Sequence, residues 1–452
     1  MRSRRQEPIT RNWGPHMVRP RADAVTILTA YGVLLYAVPA EQGIAALGSL
    51  GSPAVLVGIG AGIWWCWHQL HRRSGFDGTR PPLVRPMMFV FLFACLASYV
   101  AAATRALPTV EVSPADTGVL RTVSWLGVFL LACDGIPRKD RFDTLIARLI
   151  IAGGIFAALG LLQFVTGQSI IGGLSIPGLT AGIDAGIQNR SGFVRSAATA
   201  AHPLEYAVVL CMILPLALAR AMHAPRGHRF WRWLPVAAMA LAAGLSVSRS
   251  AMLGLLAVLV VLVPTWPRIA RRFAIAIAAT SVVAIWILLP GFVSTVQALF
   301  VGASNDTGVT SRTGSYDLAA GFVIRNPLFG RGFGTFLPQY RILDNQYLLL
   351  LIDGGIVGLA ALLAVLVAAL VGARDARRAA RSNADRAMGQ SLMAAVFAGA
   401  TLFAFFDALS FSKAGGTMFL VIGLVGAFWR FMTSPEYHRD NPSLEHPGSR
   451  AR

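Results

Sequence analysis

Residues 346–371 read QYLLLLIDGGIVGLAALLAVLVAALV, an apolar run with one formal charge in it. At 1.5 Å per residue, a helix of that length reaches about 39 Å, enough to cross the hydrocarbon core of a bilayer with some tilt. A lone strand could not satisfy its backbone hydrogen bonds in lipid, so the segment has to be helical. Working outward, similar runs fall at about 24–40, 53–69, 86–103, 117–133, 144–166, 204–220, 233–247, 251–265, 273–290, 388–409 and 414–430. The expected fold is all-α: a polytopic integral membrane helical bundle with about twelve transmembrane helices.

Composition points the same way. Of 452 residues, 55% are hydrophobic and only 13% are charged. A soluble domain carries about 25% charged residues, so this chain lacks the charge to cover a water-facing surface. The formal charge of +19 would suggest nucleic acid in a soluble protein. Here the basic residues sit in short loops between apolar runs, which is the positive-inside pattern, and no nucleic-acid partner is expected. Lys139 and Lys413 are the only lysines; arginine carries the rest. Cys66, Cys95, Cys133 and Cys211 lie in or beside apolar runs without CxxC spacing, so neither a zinc site nor a disulfide is expected. A signal peptide ending near Ala37-Val38-Pro39-Ala40 is the alternative to an uncleaved first helix.

With the N-terminus inside, most of the 40 basic residues fall on one side of the membrane. That orientation makes both termini cytoplasmic in a bacterial inner membrane. It divides the chain into a basic tail (1–23), a transmembrane domain (24–430) and a polar tail (431–452) expected to be disordered. Two extracytoplasmic segments, about 167–203 and 291–345, exceed the length of mere connectors. The second, expected to be partly helical, precedes the tenth helix. No repeat relates the two halves of the chain.

The outer segments hold the residues that could do chemistry. Arg195 leads through a small-residue stretch to His202-Pro203-Leu-Glu205, and Pro203 suits the first turn of a helix. His202 and Glu205 read either as helix-start polar groups or as site residues. Ser248-Arg249-Ser250 joins two apolar runs with no loop between them, so Arg249 either snorkels to headgroups or faces a cavity with an anion. The second long segment contains Ser311-Arg312, Tyr316-Asp317, Arg325, the string Gly330-Arg331-Gly332-Phe-Gly334, and Arg341 before Asp344-Asn345-Gln346-Tyr347. The glycine string has no preceding strand and lies away from cytoplasmic nucleotides, so a tight turn explains it better than a nucleotide site. Arg195, Arg249, Arg312, Arg325, Arg331 and Arg341 together offer guanidinium forks suited to phosphate oxygens. Asp344, Asp317 and Glu205 are the candidate acceptors for a hydroxyl proton.

Ser311-Arg312, Tyr316, Asn326-Pro327-Leu328-Phe329-Gly330-x-Gly332-x-Gly334, Asn345-x-Tyr347-Leu348 and Gly354-Gly355-Ile-Val-Gly358 occur in an order that resembles the conserved block of the O-antigen ligase/O-antigen polymerase superfamily. Ser248-Arg249-Ser250 and His202-Pro203 add to the resemblance, which spans most of residues 24–430. It implies a membrane glycosyltransferase that takes undecaprenyl-pyrophosphate-linked oligosaccharide and joins it to an acceptor glycan or lipid, with no cofactor or metal. It also implies that Arg249 and Arg312 hold the pyrophosphate, with Arg195, Arg341, Asn345 and Tyr347 as further substrate contacts. The base is then Asp344 or His202. Ligases of the superfamily carry a histidine where this chain has Asp344, which tilts the expectation towards polymerase, with ligase a close second and a chain-length regulator as a further partner. The rival from another class is a twelve-helix secondary transporter, which would be built from repeats with polar residues at the midplane.

Overall fold

The structure, a computed structural model, describes residues 23–71, 81–169, 176–181, 188–190, 193–246, 248–288, 316 and 318–440. A helix forms at each of the twelve apolar runs. The first six are α1 (Ala24–Ala37), α2 (Pro53–His71), α3 (Val84–Ala103), α4 (Thr109–Gly135), α5 (Lys139–Thr166) and α6 (Pro203–Met222). The others are α7 (Arg229–Gly244), α8 (Arg249–Leu262), α9 (Arg268–Leu288), α10 (Gln346–Ala379), α11 (Asn383–Leu402) and α12 (Ser412–Thr433). Among the described residues, six of them (α3, α4, α5, α6, α10 and α12) are long and apolar enough to cross a membrane. The expectation of twelve crossings is thus supported for six.

The bundle is centred on α6 and α12, which are buried over most of their surface. α12 packs against α4, α10, α6 and α11, while α8 lies against α6 and α11. Small residues let backbones approach, as expected where lipid supplies no hydrophobic drive between helices. In the α2–α4 contact a Cβ on Gly127 would meet the Gly62 backbone at 2.6 Å. Two short antiparallel pairings trim the connections: Gln42–Gly43 pairs with the distant Thr180–Ala181, and Gln188–Arg190 forms a hairpin with Phe193–Arg195.

Two boundaries depart from expectation in ways that matter below. The eleventh apolar run was expected to reach 409, but α11 stops at Leu402, and 403–411 is a loop with a short 3-10 turn at Ala408–Ser410. Phe403, Phe406, Ala408 and Leu409 are all buried, so a packed loop carries the composition of a membrane helix. At the other end of the chain, Pro435–Asp440 is a short helix rather than the start of a disordered tail. The Tyr437 hydroxyl pins it, donating to Asp385 at 2.9 Å and accepting the Arg381 N–H at 3.0 Å.

Candidate functional site

The site is built where the starts of α6 and α10 meet the 403–411 loop. Asn345 caps α10: its side-chain oxygen accepts the N–H of Tyr347 at 3.0 Å and of Leu348 at 3.1 Å. The next residue, Gln346, ties that helix start to the loop. Its backbone N–H donates to Phe403 O at 2.8 Å, and its side-chain oxygen accepts the Leu409 N–H at 2.7 Å. Arg121 of α4 closes the loop from below by donating to the carbonyls of Leu409 and Ser410. These bonds bring Asp407 close enough to Asp344 for the two carboxylates to repel. Asp407 was not among the candidates, because its segment reads as helix.

His202 is the cap of α6, its Nδ1 accepting the Leu204 N–H at 3.1 Å. Its ring lies 6.1 Å from that of Phe411, which closes the loop and precedes α12. Burial, with Arg195 adding its positive charge, holds the imidazole down at about 4. The ring is therefore neutral at pH 7. With Nδ1 accepting, its proton sits on Nε2, so the free nitrogen is a donor. That tautomer does not suit the role of base expected for His202.

Three residues read as site groups are occupied in structural bonds. Glu205 is fully buried, accepting the N–H of Ala201 and of Lys413 at 2.9 and 2.6 Å. Lys413 compensates its charge and donates Nζ to the carbonyls of Leu35 and Val38, both at 2.8 Å, locking α12 to the end of α1. Tyr347 donates its hydroxyl to Ala400 O at 2.6 Å and thereby holds α10 to α11. Arg331 pairs with buried Glu111, which also binds Arg105 and Tyr340, and the guanidinium lies over the rings of Phe322, Phe336 and Tyr340. It belongs to the scaffold and not to a phosphate site.

The glycine string forms the expected turn, with φ of 67°, 129° and 80° at Gly330, Gly332 and Gly334. What it does there was not foreseen. α10 breaks at Gly355 (φ 65°), and the turn supplies the hydrogen bonds the break leaves open. Arg331 and Gly332 donate to Ile352 O and Asp353 O, while Ile356 and Val357 donate to Pro327 O and Leu328 O. The Asp353 carboxylate accepts the N–H groups of Gly334 and Phe336, each at 3.0 Å. Irregular backbone at this depth is tolerable only because protein satisfies it.

Arg249 is the first residue of α8 and is half-buried, with Ser248 and Ser250 buried on either side. It lies about 7.5 Å along the helix from Gly254, which packs on Leu402 at the end of α11. Arg341 and Asp344 are half-buried in the segment leading to α10, and Arg325 is exposed. Arg195 donates to Gln188 at 3.2 Å across its hairpin. Arg312 and Asp317 lie outside the described residues. The loop thus has the carboxylate pair on the α10 side and the His202 ring on the α6 side. Burial, with Asp344 adding to it, pushes Asp407 up to about 6, while the Ser410 hydroxyl opposes the rise. A carboxylate with that affinity is mostly ionised at pH 7 and accepts a proton more readily than an ordinary one.

Residues 234–363 match the O-antigen ligase family model. The match supports an O-antigen ligase-related superfamily for this chain, and with it a glycosyltransferase-like function in a multi-pass membrane protein. Arg249, Arg312, Arg341, Asp344, Asn345 and Tyr347 fall inside the O-antigen ligase match, whereas Arg195 and His202 precede it and Asp407 follows it. No curated protein matches the chain significantly.

Proposed function

We propose that this protein transfers glycan from an undecaprenyl-pyrophosphate carrier to an acceptor hydroxyl at the extracytoplasmic face of the inner membrane. The observation that carries the reading is that six of the eight residues to which the resemblance gives a role, Arg249, Arg312, Arg341, Asp344, Asn345 and Tyr347, lie within the segment matching the O-antigen ligase family. The acceptor oxygen attacks the anomeric carbon as the bond to the diphosphate oxygen breaks, and the diphosphate leaves with the electron pair. Arg249, Arg312 and Arg341 are placed in this reading to meet the charge that grows on the leaving group; fixed cations aimed there lower the barrier. The acceptor proton goes to the Asp344–Asp407 pair. His202, with its Nε2–H, donates to a substrate oxygen, Arg195 stands behind it, and the prenyl chain stays in lipid.

Polymerisation, in which the acceptor is a second lipid-linked glycan, is the favoured form, because an acidic pair stands where ligases of the superfamily carry a histidine. Ligation to a lipid or glycan acceptor is the second form, supported by the description of the matching family. The test is a transfer assay with purified protein, lipid-linked oligosaccharide and no nucleotide sugar, with products separated by size. A ladder of lengthening glycans that Arg312→Ala abolishes supports polymerisation; a single addition to a core acceptor supports ligation. Transfer at the normal rate by a folded Arg312→Ala protein would overturn the reading, and vectorial uptake of a solute without glycan transfer would favour the transporter.

A further inference from the structure

The opposite end of the bundle, which the charge pattern places in the cytoplasm, holds a cavity of about 590 Å³ that the transfer reaction does not use. It opens between the inner ends of α6, α8, α10 and α11. Arg377 comes from the last turn of α10 and Arg386 from the first turn of α11. The two helices come together there because Gly389 carries no side chain: a Cβ at that position would meet Arg377 at 2.9 Å. Arg386 donates its Nε to Ala380 O at 3.0 Å, and among the described residues neither guanidinium has a carboxylate partner. Asn383, the first residue of α11, adds the positive end of that helix to the same wall.

A second observation points to a ligand. Gln390 lines the cavity and is 4% exposed; its Nε2 donates to Val261 O at 2.6 Å. Its Oε1 is buried and receives no donor among the described residues. A buried acceptor left in this state is costly and calls for a hydroxyl or N–H from whatever enters. The rest of the lining has an apolar stretch, Leu218, Met222, Leu262 and Trp266, beside the polar side chains of His223, Thr265 and Ser391. Tryptophan beside such polar groups is typical of headgroup depth.

We infer that this cavity binds an anionic phospholipid whose headgroup carries hydroxyls. Arg377 and Arg386 take the phosphate, Gln390 Oε1 accepts a headgroup hydroxyl, and the acyl chains leave along the apolar stretch. Basic pockets between helices on the cytoplasmic side suit such headgroups generally. Bound there, the lipid joins α6, α8, α10 and α11 at the end remote from the candidate site. The assignment is independent of the transfer reaction.

The full-length protein in detergent is offered phosphatidylglycerol, phosphatidic acid, phosphatidylcholine or sodium phosphate, with occupancy read by native mass spectrometry. Phosphatidylglycerol should be retained over phosphatidylcholine. Each arginine removed should lower its affinity about tenfold or more, as loss of a charge-assisted bond does. Gln390→Leu should remove the preference for phosphatidylglycerol over phosphatidic acid. If Arg377→Ala with Arg386→Ala does not fold, the double lysine variant keeps the charge, loses the forks and should show a smaller loss. Equal retention of phosphatidylcholine, or undiminished phosphatidylglycerol binding by the folded variants, overturns the inference. Displacement of the lipid by millimolar phosphate overturns the lipid assignment and gives the site to the free anion.

Discussion

Asp407 owes its position to two hydrogen bonds that a single glutamine makes, one donated and one accepted, and its affinity for protons to burial, with the charge of Asp344 adding to it. Because its folded value is raised above that of an ordinary carboxylate, ionising it opposes folding. Its contribution to stability is complete at low pH and is lost as pH rises from the ordinary carboxylate range through about 6. Activity should move the other way, with transfer rising as Asp407 ionises. We expect the acidic limb of kcat against pH to fall near 6 and to shift in Asp407→Asn; an unchanged limb would remove Asp407 from the mechanism. His202 has the opposite sign. Its folded value lies below that of free imidazole, so it supports the fold fully above about 6.5 and loses that support as pH falls towards 4. Replacing Arg249 with alanine should lower kcat about 100-fold or more while leaving the elution profile of the folded protein unchanged. Arg249 and His202 were visible as chemistry-bearing residues because polar groups at helix starts stand out in an apolar chain. Asp407 was hidden because its neighbours are as apolar as a helix.

At the scale of elements, the decisive feature is the break in α10. The Gly330 turn and the Gly355 break exchange backbone hydrogen bonds as two short facing segments, and a Cβ on either glycine would run into the backbone of the other segment, at Asp353 O or at Leu328 O. Gly355→Ala should cost at least about 1–3 kcal/mol from backbone strain alone, before the clash with Leu328 is counted. Gly358→Ala, three residues on, has ordinary helical geometry and meets only the Leu350 side chain, at 3.7 Å. It should be tolerated, and SDS-titration unfolding of the two variants separates strain from helix propensity. The Asn345 cap predicts a smaller effect: Asn345→Ala should lose about 1 kcal/mol in the same assay. The turn was legible from its glycines. That it docks into a helix was not, because no local pattern names the partner of a hydrogen bond 20 or more residues away.

For the whole molecule, the expected orientation places the two ends of the bundle in different compartments. Cysteines introduced singly at exposed Arg325 and Arg378 should therefore label from opposite faces of sealed inner-membrane vesicles with an impermeant maleimide; labelling from the same face would refute the topology. Apolar runs and the placement of arginines determined a membrane bundle, its helix positions and its expected sidedness, because both depend on transfer of local segments between water and lipid. The O-antigen ligase resemblance was also readable, since its short motifs keep their order along the chain. Only tertiary structure could separate scaffold from site. Arg331, Glu205 and Tyr347 looked like reactive groups and are held by Glu111, Lys413 and Ala400, whereas Asp407 looked like part of a helix and comes within electrostatic reach of Asp344. The reason is physical: a polar side chain in an apolar bundle must find a partner, and a partner distant in sequence is chosen by packing, which no local segment encodes.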